Sequence, residues 1–407
     1  MADSSHSVPE PLSSAGSPDH LRSLWALDPT VAYLNHGSFG ACPIAVLEQQ
    51  QLFRSQLEAE PVRFFETQLE PLLDDSRSVL AQLIGADTAN LAFVPNATTG
   101  VNTVLRSLTF QPGDELLTTN HEYNASRNAL DFVAQRSGAT VVVAQVPFPI
   151  ASSEQAITAI LDRVSPRTQL VLVDHVTSQT ALVFPLKSLV KELADRGIDV
   201  LVDGAHAPGM IPLQLKELGA AYYTGNCHKW LCAPKGAAFL YVREDKQPQL
   251  RPLVISHGAN SPRRDRSLFH LEFDWTGTFD PTAYLCVATA IRLMGSLFPD
   301  GWTGLMDHNR AVILSARQRL SQALGISLPC PAEMIGSMAT LPLPRGSAKS
   351  LQDQLFRQFQ IEVPIFPWSK EPDRAIRVSA QVYNTATEYD QLAEALRDLL
   401  SIEAKDI

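Results

Sequence analysis

Little in this sequence of 407 residues points toward a membrane or a nucleic acid. No apolar run reaches the roughly 18 residues that a spanning helix needs, so a soluble protein with no membrane partner is expected. Basic residues are the minority sign: 33 Lys and Arg stand against 43 Asp and Glu, leaving a formal charge of -10. That balance argues against an extended phosphate-neutralising surface, and no nucleic-acid partner is expected. Cysteine is scarce, and Cys42, Cys227, Cys232, Cys286 and Cys330 include no pair of the CxxC type. Reduced thiols in a cytoplasmic protein fit this pattern better than a disulfide framework. Cys227 and Cys232 bracket His228, but no second pair completes a ligand set, and no metal site is expected. The N-terminus lacks the charged-then-apolar order of a signal peptide. The phosphate-binding patterns G-x-x-x-x-G-K-[ST] and G-x-G-x-x-G are absent, as is any internal repeat.

What is present reads as a folded enzyme-sized chain. With 45% apolar and 19% charged residues it lies far from the disordered class. Its length exceeds what one core usually serves. We expect a Ser- and Pro-rich disordered leader over residues 1–20, a large α/β domain over 21–285, and a smaller α+β domain over 286–407. Seven short apolar runs, from LAFV at 91–94 to AAFLYV at 237–242, alternate with segments of helical period. Several are continuously apolar, as strands covered on both faces are. LKSLVKELADRG ends at Gly197 as a helix C-terminus would. Together these imply a mainly parallel seven-stranded α/β sheet. Residues 43–85 read as two or three helices interrupted at Pro61 and Pro71, and residues 281–298 as one more. SMATLPL, IEVPIF and AIRVSA are strand candidates of the C-terminal module.

Ligands of open α/β sheets lie beyond the carboxyl ends of the strands, so polar residues just after apolar runs matter most. Asn96-Ala97-Thr98-Thr99-Gly100 follows a strand and opens a helix, offering N–H groups, hydroxyls and the positive dipole end to an anion. Singly, it is also an ordinary helix cap. Asp174 and Asp203 each end an apolar run, and either could be only a cap for the next helix. Lys229 sits in Tyr-Thr-Gly-Asn-Cys-His-Lys-Trp, among none of the charged neighbours of a solvated face. In this order on a parallel sheet, these are the parts that hold pyridoxal phosphate (PLP): donors for phosphate, a carboxylate for the pyridine nitrogen, an amine for the aldehyde.

Here the sequence resembles the class V aminotransferase family of fold-type-I PLP enzymes, and most closely its isopenicillin N epimerase-like branch, related to cysteine desulfurases. The resemblance is carried by Tyr33-Leu-Asn-His-Gly-Ser-Phe-Gly40, Asn96-Ala-Thr-Thr99, Asp203-Gly-Ala-His206, Thr224-Gly-Asn-Cys-His-Lys-Trp230 and Ile376-Arg-Val-Ser379. It implies PLP as cofactor, with Lys229 as the Schiff-base lysine and proton shuttle. It makes Asp203 the pyridinium partner and puts His206 near the ring's 3-oxygen. Thr98 and Thr99, joined by Thr224 or His228, would bind phosphate. Tyr123 would stack on the cofactor, with His121 as competitor, and Ser178 would touch the cofactor face or substrate. Thr278 matches a residue that reaches the phosphate of a neighbouring subunit, which implies a homodimer with shared active sites. Arg377 matches the substrate-carboxylate arginine, and Asn35 and His36 line the substrate mouth in relatives.

One departure bears on the reaction. Cysteine desulfurases of this resemblance carry a loop cysteine about a dozen residues before the carboxylate arginine, because a thiolate must attack the substrate sulfur. Here the stretch is Val363-Pro-Ile-Phe-Pro-Trp-Ser369, without cysteine. The expected activity is therefore chemistry at the Cα of an amino acid or small peptide, as an epimerase or aminotransferase. The alternatives are a carbon–sulfur β-lyase of the same fold, a desulfurase-like enzyme, or a non-catalytic protein that binds a phosphate ligand.

Overall fold

The computed structural model describes residues 18–368 and 370–404. Its strands are β1 (Ala32–Tyr33), β2 (Leu91–Val94), β3 (Glu115–Thr119), β4 (Thr140–Ala144), β5 (Thr168–Asp174) and β6 (Asp199–Asp203). They continue with β7 (Tyr222–Asn226), β8 (Ala238–Val242), β9 (Met338–Leu343), β10 (Ile361–Glu362), β11 (Ile365–Pro367) and β12 (Arg374–Ser379). β2 to β8 form one seven-stranded sheet in the order β2-β8-β7-β6-β5-β3-β4. Only the pairs made by β8 are antiparallel.

The continuous apolar runs have a direct cause. Alternate residues enter two different cores: Val171, Val173, Val200 and Val202 one, Leu170, Leu172 and Leu201 the other. Successive side chains of a strand point to opposite faces, so helices on both faces demand apolar residues at every position. The helices Ala97–Ser107 and Asn124–Ser137 cover the second face with Val101, Val104, Leu130 and Val133. The helices Leu69–Ile84 and Leu186–Ala194 cover the first.

β9, β11 and β12 make a small antiparallel sheet, order β11-β12-β9, packed with the helices Gly301–Leu324, Ala348–Phe359 and Ala386–Glu403. β1 pairs in parallel with β10, and the Ser379 N–H donates to the Leu34 carbonyl. The N-terminal segment thus lies against the C-terminal sheet. Among the described residues no helix is long and apolar enough to cross a membrane.

Three local expectations need revision. Pro71 does not interrupt its helix: it sits in the first turn of Leu69–Ile84, directly after a π-helical turn, Phe64–Gln68, where the hydrogen-bond ladder is already widened. Pro61 does break the chain, at Glu60. The helix expected over 281–298 is two, Thr282–Leu285 and Val287–Gly295, and IEVPIF is split between β10 and β11 at Val363-Pro364. Of the leader expected over 1–20, residues 1–17 lie outside the described residues and Pro18–Ser23 is helical.

Candidate active site

The parallel strands deliver their last residues to one edge. Asp174 ends β5, Asp203 ends β6, and the register pairs them side by side, so their side chains share a face. Asp203 is buried, with the Ser126 hydroxyl donating to Oδ2 at 2.7 Å and the Ala205 N–H to Oδ1 at 3.0 Å. Burial pushes its pKa up, against the pull of those donors and of Lys229. Asp174 is equally buried, and its Oδ2 has no partner. Glu122, in the loop after β3, brings a third carboxyl, and acceptor atoms of all three lie within 4.8 Å of one another. Burial first, and neighbouring carboxylates second, hold Glu122 and Asp174 well above the usual carboxylate range.

Lys229 lies in the turn after β7, with Nζ 3.0 Å from His206 Nε2. Burial and the Arg377 charge bring its amine down to about 7, although Asp203 and Asp174 pull the other way. The same burial, with Lys229, Arg377 and His228 nearby, keeps His206 neutral. With Nε2 facing the amine, we assign the imidazole proton to Nδ1, a buried donor with no protein partner. The turn is held tightly: Gly40, at φ 70°, lies where a Cβ would come within 2.1 Å of the His228 carbonyl oxygen.

At the start of Ala97–Ser107, the Asn96 side chain accepts the Thr99 N–H at 2.8 Å and the Thr99 hydroxyl at 3.1 Å. Asn226, last residue of β7, accepts the Ala97 N–H at 2.9 Å and ties the lysine turn to the helix. Thr98 keeps its N–H and hydroxyl for another acceptor. His228 Nδ1 bonds the Ala237 carbonyl at 3.0 Å, leaving Nε2 open. Thr224 is different: it is fully buried, its hydroxyl donates to the Phe239 carbonyl at 2.8 Å, and it packs under Gly100. A close-packed core position takes it out of the expected phosphate set.

Arg377, on β12, donates from Nη1 to the Ser178 carbonyl at 2.5 Å and from Nη2 to Ser38 Oγ at 2.9 Å, while Ser38 donates to Asn35 Oδ1 at 2.6 Å. It is buried, no carboxylate pairs with it among the described residues, and its Nε has no partner. Burial lowers it to about 10. An unpaired buried cation is costly unless an anion completes the site. Arg377 lines a cavity of about 500 Å³ together with Glu122, Tyr123, Arg127, Ser178 and Phe366.

Two histidines are placed by packing. His36 has no exposed surface; Nδ1 lies 2.7 Å from the Tyr383 hydroxyl and Nε2 3.0 Å from the Lys229 carbonyl. Both ring nitrogens serve the protein, so it braces the lysine turn and does not line the substrate mouth. His121 is buried against Trp368, bonded to Thr180 Oγ1 at 2.6 Å and the Val146 carbonyl at 3.0 Å. Tyr123, 46% exposed, offers a free ring at the cavity. Thr278 is exposed in the loop before Thr282–Leu285, and this chain by itself does not bring it to the cavity.

The family model for class-V aminotransferases matches residues 33–392. The chain belongs to the class-V aminotransferase family. It is 36% identical over 393 residues to the isopenicillin N epimerase of Amycolatopsis lactamdurans, covering 92% of this chain and 96% of that one. It is 33% identical over 409 residues to the probable chloroplastic L-cysteine desulfhydrase of Arabidopsis thaliana, covering 92% and 84%. In fold it is similar to the cysteine desulfurase CsdA of Escherichia coli, with TM-score 0.79, 21% identity and coverage of 95% and 99%. It also resembles the cystine C–S lyase C-DES, with TM-score 0.75, 23% identity and coverage of 91% and 98%.

As a class-V aminotransferase the protein is a PLP-dependent enzyme, and its residues fit the cofactor. The Lys229 amine, the buried Asp203, the unpartnered His206 Nδ1 and the open Thr98 donors are the groups such a ligand needs. Sequence reasoning missed Ser38, Ser126, Asn226 and Glu122. Ser38 and Asn226 lie within the quoted motifs but without an assigned role, and the partners of Ser38, Ser126 and Asn226, namely Arg377, Asp203 and Ala97, lie far along the chain.

Proposed function

We propose that this class-V aminotransferase moves the Cα proton of an amino acid or small peptide, in the manner of an isopenicillin N epimerase or an aminotransferase. PLP, when bound, supplies an electron sink for the charge left at Cα. The observation that carries the reading is a pair of basic side chains, the half-buried Lys229 amine and the buried Arg377 guanidinium, neither closed by a salt bridge with a carboxylate among the described residues. Arg377, held by Ser178 and by Ser38 with Asn35, takes the substrate carboxylate. Lys229, whose amine titrates near neutrality, takes the proton from Cα and returns it. Tyr123 stacks at the opening, and Asp203 with His206 orients the cofactor. Thr98 and His228 receive its phosphate, with Thr99 held at the helix start by Asn96, and Ser178 borders the substrate.

Phe366 lines the cavity, and Trp368 packs on Phe148 and on His121, which lines it too; this apolar setting supports an apolar substrate side chain. The absence of cysteine between Val363 and Ser369 argues against persulfide formation. A carbon–sulfur β-lyase is the second reading, favoured by the L-cysteine desulfhydrase relatives. Residues 21–285 as a cofactor lobe and 286–407 as a smaller lobe belong to the same proposal; the separate seven- and three-stranded sheets support it. A homodimer, with Thr278 reaching a partner's phosphate site, is supported by exposed Phe39, Val254, Ile255 and Leu268. Five free cysteines support a reducing, cytoplasmic setting.

The test is to incubate the holoenzyme with amino acids in deuterated water. Deuterium at Cα with loss of chirality identifies an epimerase, and keto acid formed only with an acceptor identifies an aminotransferase. Sulfide or pyruvate release identifies a lyase. A protein that stays colourless with PLP and gains no borohydride-stable label at Lys229 overturns the proposal.

A further inference from the structure

Behind the cofactor's expected partner stand two acids that the proposed chemistry does not use. Asp174 and Asp203 are register neighbours on β5 and β6, and Glu122 reaches them from the end of β3. Three acceptor atoms within 4.8 Å, two of them on buried residues, cannot all carry charge. The donors decide which one does. Asp203 receives the Ser126 hydroxyl and the Ala205 N–H, which favour its anion. Asp174 Oδ2 and Glu122 Oε1 are buried without any partner, and a lone acceptor of that kind is where a proton resides.

We propose that Asp174 and Glu122 are positioning residues, kept as neutral carboxylic acids whose protons face Asp203 and hold it as the carboxylate that meets the ring nitrogen. At these separations a side-chain rotation or one bridging water completes the contact. The groups facing the trio come from every neighbouring element. Lys229 and Arg127 are the cations, and Tyr223, with its hydroxyl 2.9 Å from His175 Nδ1, packs beside Asp203. Thr118 donates to Glu122 Oε2 at 3.3 Å, the oxygen opposite the unpartnered one. The inference rests on Asp203 as the pyridine partner.

The experiment is infrared difference spectroscopy of the holoenzyme, wild type against Asp174→Asn and Glu122→Gln. A protonated-carboxyl C=O band is expected at neutral pH, shifted in deuterated water and diminished by each substitution. The second readout is cofactor absorbance against pH. Asp174→Val, which has no donor, moves the acid limb to higher pH by about one unit, the scale of one lost charge-assisted hydrogen bond; Asp174→Asn, which keeps a donor, leaves it in place. Absence of any such band, or equal behaviour of the Val and Asn variants, overturns the inference. So does loss of the band on adding magnesium or manganese, which would make the trio a cation site. Failure to bind PLP at all counts against the proposed function instead, since the infrared band is read from the carboxyls themselves.

Discussion

Each functional side chain owes its state to its surroundings more than to its type. Lys229 is the clearest case, because burial and Arg377 bring its amine to about 7 from an ordinary 10.5. Its charge therefore opposes folding fully below pH 7, and that cost disappears as pH rises from 7 to 10.5, where the unfolded chain also loses the proton. Lys229→Met is expected to raise the apoprotein's melting temperature at pH 7 and to lose that advantage toward pH 10.5; scanning calorimetry across the range checks it. Arg377 gives the second prediction. Arg377→Ala removes charge-assisted bonds of roughly 1.5–3 kcal/mol and should raise KM for carboxylate substrates roughly ten- to hundredfold, with PLP binding retained. Unchanged KM would take the substrate carboxylate elsewhere.

At the scale of elements, strand ends and one helix start make the site. Asn96 caps Ala97–Ser107 and is tied through that helix to Asn226 and the lysine turn. Asn96→Ala should destabilise the protein by about 1 kcal/mol, as lost caps do, and weaken PLP binding through the displaced Thr98 and Thr99. Urea denaturation together with a PLP titration measures both; a stability loss with unaltered PLP affinity would detach the helix start from the phosphate. The strands of this sheet were legible because burial on two faces leaves a one-dimensional mark, an unbroken apolar run. The Pro71 helix and the split of IEVPIF were not, since each depends on how the backbone meets its neighbours.

For the whole molecule, the exposed apolar residues Phe39, Val254, Ile255 and Leu268 predict association. Sedimentation should give a dimer, and Thr278→Ala should weaken PLP binding in every site of that dimer. A monomer with full PLP affinity would remove Thr278 from the site. The acidic charge of -10 says little about the substrate, because the cavity is lined by Arg377 and Arg127 within a chain of net negative charge.

By itself, the sequence determined the sheet, its helices and the motif residues Lys229, Asp203 and Arg377, since apolar period and short motifs are local properties of the chain. Only the tertiary structure decided how those residues are partnered. It withdrew His36 and Thr224 into the packing and gave Tyr123, and not His121, the open ring. It also set Glu122 and Asp174 beside Asp203. The reason is physical: a polar side chain's role depends on what surrounds it, and those neighbours come from strands and loops far apart in the chain, joined by strand register and close packing.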